Sequence, residues 1–241
     1  MTGDTDIDHT DDLNVEASIT PDETDYLLEN IQYHFPHLDI TRKDIISSFS
    51  GVRPVVGSGK KDPSSESRDH VVWKEDGLLT VTGGKLTTFR LIALDALKAA
   101  QPLLGELPYL DKKQRVFSPL EDISPVSKDL ESEIMARLQG RYGNRAKDLI
   151  AGAKTSELEK IPGTKTLWAE LRFAAQNEAV VHLEDLMLRR TRIALLLENG
   201  GMAILPMVRT ICQPLLGWDD EKWNQEEKDY QETWHRFYSA Q

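Results

Sequence analysis

The chain has 241 residues, of which 39% are hydrophobic and 29% are charged, enough to bury one large core or two modest ones. Its formal net charge of −11 argues against a general nucleic-acid binder, because neutralising phosphates requires a basic surface. The single cysteine, Cys212, excludes an intramolecular disulfide and any Cys-rich zinc site. No apolar run reaches the roughly 18 residues that a membrane-spanning helix needs.

The first predicted elements are a helix and a strand. Thr20 is expected as the N-cap of the helix, with Pro21 at its first position and Glu23 closing a capping box. The segment Ile45–Val52, rich in Ile, Ser, Phe and Val, predicts a strand that Arg53 ends. A polar loop is expected to follow.

A pair of short strands and a second helix are predicted next. His70–Trp73 and Leu78–Thr82 have β-type sequences and flank the turn-like Glu75-Asp76-Gly77. A helical pattern begins after Gly83-Gly84-Lys85. Its expected apolar face consists of Leu86, Phe89, Ala93, Ala96, Leu97 and Ala100.

A proline-rich connector, 103–125, separates this mixed part from a part in which only helices are predicted. We therefore predict an α+β protein with a boundary near residue 115: a mixed α/β fragment at 1–115 and an all-helical domain at 116–241. The predicted helices of the second part are Glu131–Arg141, Arg145–Ala153, Leu167–Ala175, Leu183–Leu197, Ala203–Leu216 and Asp219–Tyr238.

Three ligand motifs fail on inspection. Asp4-x-Asp6-x-Asp8 would start a calcium loop, but His9 and Val15 stand where that loop needs Gly and Glu. Gly57-Ser58-Gly59-Lys60 resembles the end of a P-loop, but Lys61 replaces the Ser or Thr that would hold magnesium. No G-x-G-x-x-G fingerprint of dinucleotide binding occurs in the chain. We predict no metal site.

The turn Gly83-Gly84-Lys85 is the strongest candidate for a ligand site. Glycines let a planar ring or an oxyanion approach the backbone, and the following helix start offers unpaired amides and partial positive charge. The ammonium of Lys85 and the hydroxyls of Thr87 and Thr88 lie at the same place in the sequence. Such a site would stabilise negative charge on a reduced flavin or on a substrate oxygen. The alternative is an ordinary β-to-α connection with a solvated lysine.

Two arginines stand beside predicted strands. Arg53 follows Ser50-Gly51-Val52, and Arg68 lies in Ser67-Arg68-Asp69-His70. The planar guanidinium group suits phosphate recognition, and two converging arginines would hold a phosphomonoester. Taken singly, an arginine of this kind is more often a surface ion-pair partner than a ligand contact.

The ordered set of motifs resembles the FAD-dependent (aerobic, quinone-linked) glycerol-3-phosphate dehydrogenases. The resemblance extends over nearly the whole chain, although Asp4 stands where the family usually has Thr, and the family's N-terminal half with its glycine-rich fingerprint is absent. The motifs that carry it are Gly3-Asp4-Thr5-Asp6, Ser50-Gly51-Val52-Arg53-Pro54, Ser67-Arg68-Asp69-His70, Gly83-Gly84-Lys85-Leu86-Thr87-Thr88-Phe89-Arg90, Glu184-Asp185-Leu186-Met187-Leu188-Arg189-Arg190-Thr191-Arg192 and Leu216-Gly217-Trp218.

The resemblance implies an oxidation of sn-glycerol 3-phosphate to dihydroxyacetone phosphate, with hydride passing to FAD and electrons then passing to quinone. Arg53, Arg68 and Lys85 would bind the substrate, and Arg53 and Lys85 would lie nearest the reacting atoms. A general base is also required, and none can be named in this chain. The implied flavin contacts are Gly83, Gly84, Leu86, Thr87 and Thr88.

The absent N-terminal half is an expected partner of these residues. We expect this chain alone to be inactive and to retain no FAD, because adenine and pyrophosphate contacts belong to the absent fingerprint. The expected location is cytoplasmic, with peripheral attachment to the inner membrane or homo-oligomerisation left open. Two alternatives also remain: an oxidase that passes electrons to oxygen, and a non-catalytic helical interaction module in which Arg53, Arg68 and Lys85 do not converge.

Two predictions concern the helical part. Arg189, Arg190 and Arg192 are expected to pair with nearby acids such as Glu184 and Asp185 rather than to bind substrate. The aromatic residues near the C-terminus are expected to pack the domain, since aromatics at helical spacing are usually core residues. They are Trp218, Trp223, Tyr230, Trp234 and Phe237.

Overall fold

The computed structural model describes residues 5, 7, 9–10, 12–52, 69–105, 113–126 and 130–239. The chain divides into two compact units, one within 3–15 and 51–118 and the other within 16–50 and 119–241. We call them the hairpin unit and the helical unit. The α+β class is confirmed, because the described residues form one two-stranded sheet and are otherwise mostly helical. The predicted domain division near residue 115 stays a prediction.

The hairpin unit contains two antiparallel strands and one helix. Strand β1, His70–Glu75, pairs with strand β2, Leu78–Gly83, so that His70 lies opposite Gly83. Asp76 and Gly77 join the strands with φ of 46° and 84°. Two residues at positive φ suit the twist of a tight hairpin, and an Asp-Gly turn is a common solution. The predicted strand pair is therefore confirmed.

Helix α2, Phe89–Leu104, follows the hairpin after a 3-10 turn at Leu86–Thr88 and packs on both strands. The predicted apolar face is only partly buried. Ala96 and Ala100 are half-buried, whereas Leu86, Phe89 and Leu97 are exposed. The spacing of apolar residues predicted a helix correctly, but it missed Ile92, which lies against Gly84 at the end of the hairpin.

The helical unit begins with the predicted capping box. The Glu23 amide donates to Thr20 Oγ1 at 3.2 Å, and the Thr20 amide donates to Glu23 Oε2 at 3.0 Å. These bonds satisfy donors that a helix start leaves unpaired. The α-helices of the unit are α1, Pro21–His34; α3, Ser132–Tyr142; α4, Ala146–Gly152; α5, Trp168–Asn177; α6, Leu205–Leu216; and α7, Asp220–Phe237.

The strand predicted at Ile45–Val52 is wrong: these residues have no regular secondary structure and pair with no strand in the described part of the chain. Their hydrogen bonds go to helical elements instead. The Ser48 amide donates to the Tyr238 carbonyl at 2.9 Å, and Ser47 Oγ donates to the Leu195 carbonyl at 2.8 Å. Ser47 and Ser48 thus bond to helical elements of their own unit instead of to a neighbouring strand.

The regular helix predicted at Leu183–Leu197 is also wrong. The segment forms a π-helical turn at Asp185–Arg190 and a 3-10 turn at Ile193–Leu195, separated by Arg192 at a φ of 60°. Both the amide and the hydroxyl of Thr191 donate to the Leu186 carbonyl, at 3.1 and 2.6 Å. This five-residue spacing widens the turn and ends it.

Two apolar clusters fill the helical unit. One lies among α3, α4 and α5 and includes Leu138, Leu149 and Phe173. The other lies among α5, α6, α7 and the π turn. Trp223, Tyr230 and Trp234 of α7 are almost fully buried in the second cluster, which confirms the predicted packing role of these aromatics. Within the described ranges, no helix is both long and apolar enough to cross a bilayer.

Candidate functional site

Two of the motifs singled out in the sequence meet at one end of the hairpin. The register places His70, which ends Ser67-Arg68-Asp69-His70, opposite Gly83, which begins Gly83-Gly84-Lys85. His70 and Gly83 are thus neighbours although the whole hairpin lies between them in the sequence. The sheet provides this proximity, because paired residues of neighbouring strands lie about 5 Å apart.

The glycine turn is packed tightly on α2. Gly83 and Gly84 have φ of 76° and 83°, which side-chain-bearing residues adopt only at a cost. A Cβ at Gly84 would lie 2.5 Å from Ile92 Cδ1 and 3.2 Å from His70 Cβ. The space that Gly84 leaves is therefore taken by Ile92, which explains this glycine by packing. Flavin contact by Gly83 and Gly84 stays a prediction.

Thr88 closes the turn that carries Lys85. Its hydroxyl accepts a hydrogen bond from the Lys85 amide at 3.3 Å and donates to the Lys85 carbonyl at 2.9 Å. The Thr88 amide also donates to the Lys85 carbonyl, and the Phe89 amide donates to the Leu86 carbonyl. Within the described part of the chain, the amides of Leu86 and Thr87 donate no hydrogen bond of this turn.

The side chains around this turn face solvent. Lys85, Leu86 and Thr87 are exposed, and Leu86 most of all, at 89%. Lys85 forms no ion pair with another described residue. Thr88 is half-buried and its hydroxyl is committed to the backbone of Lys85. A cationic group and two backbone donors are thus presented together, an arrangement that suits an electron-rich ligand edge.

A histidine–aspartate pair, missed in the sequence, lies beside the turn. His70 Nε2 is 3.0 Å from Asp95 Oδ2 of α2. The two residues are far apart in sequence and belong to different elements, so no local pattern could have indicated the contact. Only the packing of α2 on the hairpin creates it.

Arg53 and Arg68, the two arginines predicted to bind phosphate, lie outside the described residues. Their convergence with Lys85 therefore stays a prediction, as does the catalytic and substrate-binding assignment of all three.

The arginines of the helical unit have other partners. Arg189 Nη1 lies 2.8 Å from Glu184 Oε1 and 3.2 Å from Asp185 Oδ1, which confirms the predicted ion pairing for this residue. Arg192 instead lies over the ring of Phe49, with Cζ 6.0 Å from the ring centroid. Arg190 donates to a backbone carbonyl, that of Ala179, at 3.4 Å. The Arg189 pairs thus lie at the π turn, whereas Arg190 and Arg192 contact other segments of the same unit.

Two curated proteins similar to this chain are glycerol-3-phosphate dehydrogenases. A glycerol-3-phosphate dehydrogenase of Mycobacterium leprae is 30% identical over 95% of this chain. An aerobic glycerol-3-phosphate dehydrogenase of Staphylococcus aureus is 29% identical over 75% of this chain. The chain spans only 41% and 36% of the lengths of these relatives.

A solved structure shares the fold. The crystal structure of the glycerol-3-phosphate dehydrogenase from Bacillus halodurans, complexed with FAD, superposes with a TM-score of 0.68 at 21% identity. The match covers 93% of this chain and 46% of that one.

The sequence also matches the model of a known protein family. Residues 96–223, just over half of the chain, match the family described as the C-terminal domain of alpha-glycerophosphate oxidase. The chain therefore belongs to this family.

Proposed function

We propose that this chain is the C-terminal part of a flavoenzyme that oxidises sn-glycerol 3-phosphate to dihydroxyacetone phosphate, with hydride passing to FAD and electrons then passing to quinone. The observation that carries the proposal is the similarity of 95% of the chain to a glycerol-3-phosphate dehydrogenase. The exposed cationic turn at the end of the hairpin gives that similarity a chemical basis.

The residues of the turn fit a flavin. FAD supplies a ring that accepts hydride and gains negative charge. The exposed ammonium of Lys85 and the amides of Leu86 and Thr87 are donors suited to such a ring, and preorganised donors stabilise developing charge. Gly83 and Gly84 shape the backbone that presents these donors, and Thr88 fixes it.

Substrate binding is assigned to three cations. Arg53 and Arg68 would bind the phosphate of sn-glycerol 3-phosphate with charge-assisted hydrogen bonds, and Lys85 would lie between substrate and flavin. The proton of the C2 hydroxyl needs a base, which we assign to the N-terminal half of the full-length polypeptide.

Oxygen is the second candidate acceptor, and the description of the family as an oxidase domain favours it. The test is sn-glycerol 3-phosphate oxidation by the full-length protein, measured with and without a soluble quinone while peroxide is recorded. Quinone-dependent turnover without stoichiometric peroxide supports the proposal; peroxide at one equivalent per substrate supports the oxidase. A quinone acceptor also fits a cytoplasmic protein attached peripherally to the inner membrane, which vesicle sedimentation would test.

The chain alone is proposed to be inactive and free of FAD, since no G-x-G-x-x-G is present to hold the pyrophosphate. We expect the purified chain to be colourless and to bind added FAD weakly in equilibrium dialysis. A yellow protein with one flavin per chain would contradict this expectation.

A further inference from the structure

The contact between His70 and Asp95 lies at the junction of three elements. His70 is the first residue of β1 and faces Gly83, the last residue of β2. Its side chain, 21% exposed, reaches Asp95 of α2, with Nε2 3.0 Å from Oδ2. Because an ionised carboxylate only accepts hydrogen bonds, we assign the hydrogen to Nε2. One bond thus ties the open end of the hairpin to the helix.

Ile92 makes a second contact at the same place. It lies three residues before Asp95, hence on the same face of α2. Its side chain fills the space above Gly84, where a Cβ would lie 2.5 Å from Cδ1. One face of α2 therefore makes an apolar contact with Gly84 and a polar contact with His70, next to Gly83 in the sheet.

The position of Lys85 depends on these contacts. Lys85 directly follows Gly84, and both its amide and its carbonyl are bonded to Thr88 at the start of α2. Lys85 is thus joined to the hairpin end through Gly84 and to the start of α2 through Thr88. A shift of the hairpin end relative to α2 would therefore displace the Lys85 backbone.

We infer that His70 and Asp95 are positioning residues that hold the Gly83-Gly84-Lys85 turn, and with it the Lys85 ammonium, in its working place in the full-length enzyme. The inference rests on the proposed function, since it assigns the pair to the site of that reaction. Neither residue is assigned a proton transfer or a contact with substrate.

Stability and catalysis should respond differently to loss of the pair. Asp95 is 57% exposed, and exposed ion pairs contribute little to stability. A misplacement of about 1 Å at a reacting centre, in contrast, can lower the rate by roughly 100-fold. A positioning pair therefore affects turnover far more than folding, whereas a merely structural pair affects neither strongly.

The test uses the full-length, FAD-loaded enzyme and the variants Asp95→Ala, Asp95→Asn, His70→Ala and His70→Gln. We expect Asp95→Ala and His70→Ala to lower kcat/KM for sn-glycerol 3-phosphate by roughly 10-fold to 100-fold with an unchanged thermal midpoint. Asp95→Asn and His70→Gln keep an acceptor and a donor at these places, so they should recover most of the loss. Lys98→Ala, an exposed change on the same helix, is the matched control and should behave like wild type.

A double-mutant cycle shows whether the pair acts through Lys85. In a Lys85→Ala background, Asp95→Ala should cause little further loss, because the group being positioned is already gone. Hydrogen exchange of the peptide spanning 83–88 gives a readout independent of activity: it should be faster in Asp95→Ala than in Lys98→Ala.

Three results would each overturn the inference while leaving the proposed function intact. The first is wild-type kinetics in Asp95→Ala and His70→Ala. The others are a full additional loss of activity from Asp95→Ala in the Lys85→Ala background, and unchanged hydrogen exchange of the turn. A wild-type holoenzyme that does not oxidise sn-glycerol 3-phosphate would contradict the proposed function, and the inference with it.

Discussion

Glu157 and Arg172 form a nearly buried ion pair in the helical unit. Arg172 Nε donates to Glu157 Oε2 and Arg172 Nη2 to Glu157 Oε1, both at 2.6 Å. The hydrogen bonds from Arg172 hold the pKa of the Glu157 carboxyl below its ordinary value, against the opposing effect of burial. A bidentate pair of this kind is among the stronger hydrogen-bonded contacts in proteins.

This pair should make stability depend on pH in a defined direction. A carboxyl whose pKa is lower in the folded state stabilises the fold fully at any pH above its unfolded-state pKa of 4.5. This stabilisation is lost progressively as the pH falls toward the folded-state pKa. Glu157→Gln removes the charge. Urea unfolding of this chain should therefore give a wild-type advantage over Glu157→Gln that is largest at neutral pH and shrinks below pH 4.5. An advantage that stays constant through that range would contradict the assignment, and Glu29→Gln, at an exposed position of α1, serves as control.

Arg53 is the residue on which the proposed substrate site depends most. In the full-length enzyme, we expect Arg53→Ala to raise KM for sn-glycerol 3-phosphate and to lower kcat. A lost charge-assisted hydrogen bond of about 1.5–3 kcal/mol corresponds to roughly 10-fold or more in kcat/KM. Arg53→Lys keeps the charge without the planar fork and should retain part of the activity. Steady-state kinetics equal to wild type in Arg53→Ala would remove this residue from the site.

At the scale of elements, the kink at Asn199–Gly201 shows how backbone and packing combine. These three residues have φ of 48°, 63° and 75°. The Tyr230 hydroxyl donates to the Gly200 carbonyl, and a Cβ at Gly200 would lie 2.7 Å from the buried ring of Trp234. Glycine is thus required here both by conformation and by the approach of α7.

Gly200→Ala should therefore be costly. Left-handed strain of about 1–2 kcal/mol adds to overpacking of about 1–3 kcal/mol, so the free energy of unfolding should fall by roughly 2–5 kcal/mol. Gly217→Ala is the matched control, since Gly217 has nearly the same backbone angles as Gly200, a φ of 67° and a ψ of 24°, with nothing within 4 Å of its Cβ position, so only the strain applies. Equal losses for the two variants in urea unfolding would show that Trp234 adapts without cost.

The elements that the sequence predicted well are those set by local chemistry. The capping box at Thr20 and Glu23 and the Asp76-Gly77 hairpin turn depend only on neighbours in the chain. The failures depend on distant partners. Ile45–Val52 has a β-type sequence but forms no strand, and the carbonyls of Tyr238 and Leu195 accept hydrogen bonds from Ser48 and Ser47.

The candidate site divides in the same way. The Gly83-Gly84-Lys85 turn was recognisable from its residue types, because glycines between a strand and a helix indicate a special backbone. Two contacts that hold the turn depend on how α2 packs on the hairpin. They are the apolar contact of Ile92 with Gly84 and the hydrogen bond between His70 and Asp95. No spacing rule within one element predicts such contacts.

At the scale of the whole molecule, the two units differ in how much they bury. Every buried hydrophobic residue of the described ranges belongs to the helical unit, and examples are Leu138, Leu171 and Trp223. The hairpin unit instead exposes apolar residues of β2 and α2, such as Leu78 and Leu91. An isolated two-stranded hairpin is marginally stable in water. The proposed catalytic site therefore lies on the unit that has fewer buried residues.

The central claim is that the full-length polypeptide carrying this chain transfers hydride from sn-glycerol 3-phosphate to FAD. The most direct measurement is an anaerobic mixing experiment that follows the visible absorption of the oxidised flavin. We predict that sn-glycerol 3-phosphate bleaches it with one equivalent of dihydroxyacetone phosphate formed per flavin, and that the opposite enantiomer does not. Flavin that stays oxidised at saturating sn-glycerol 3-phosphate would contradict the account.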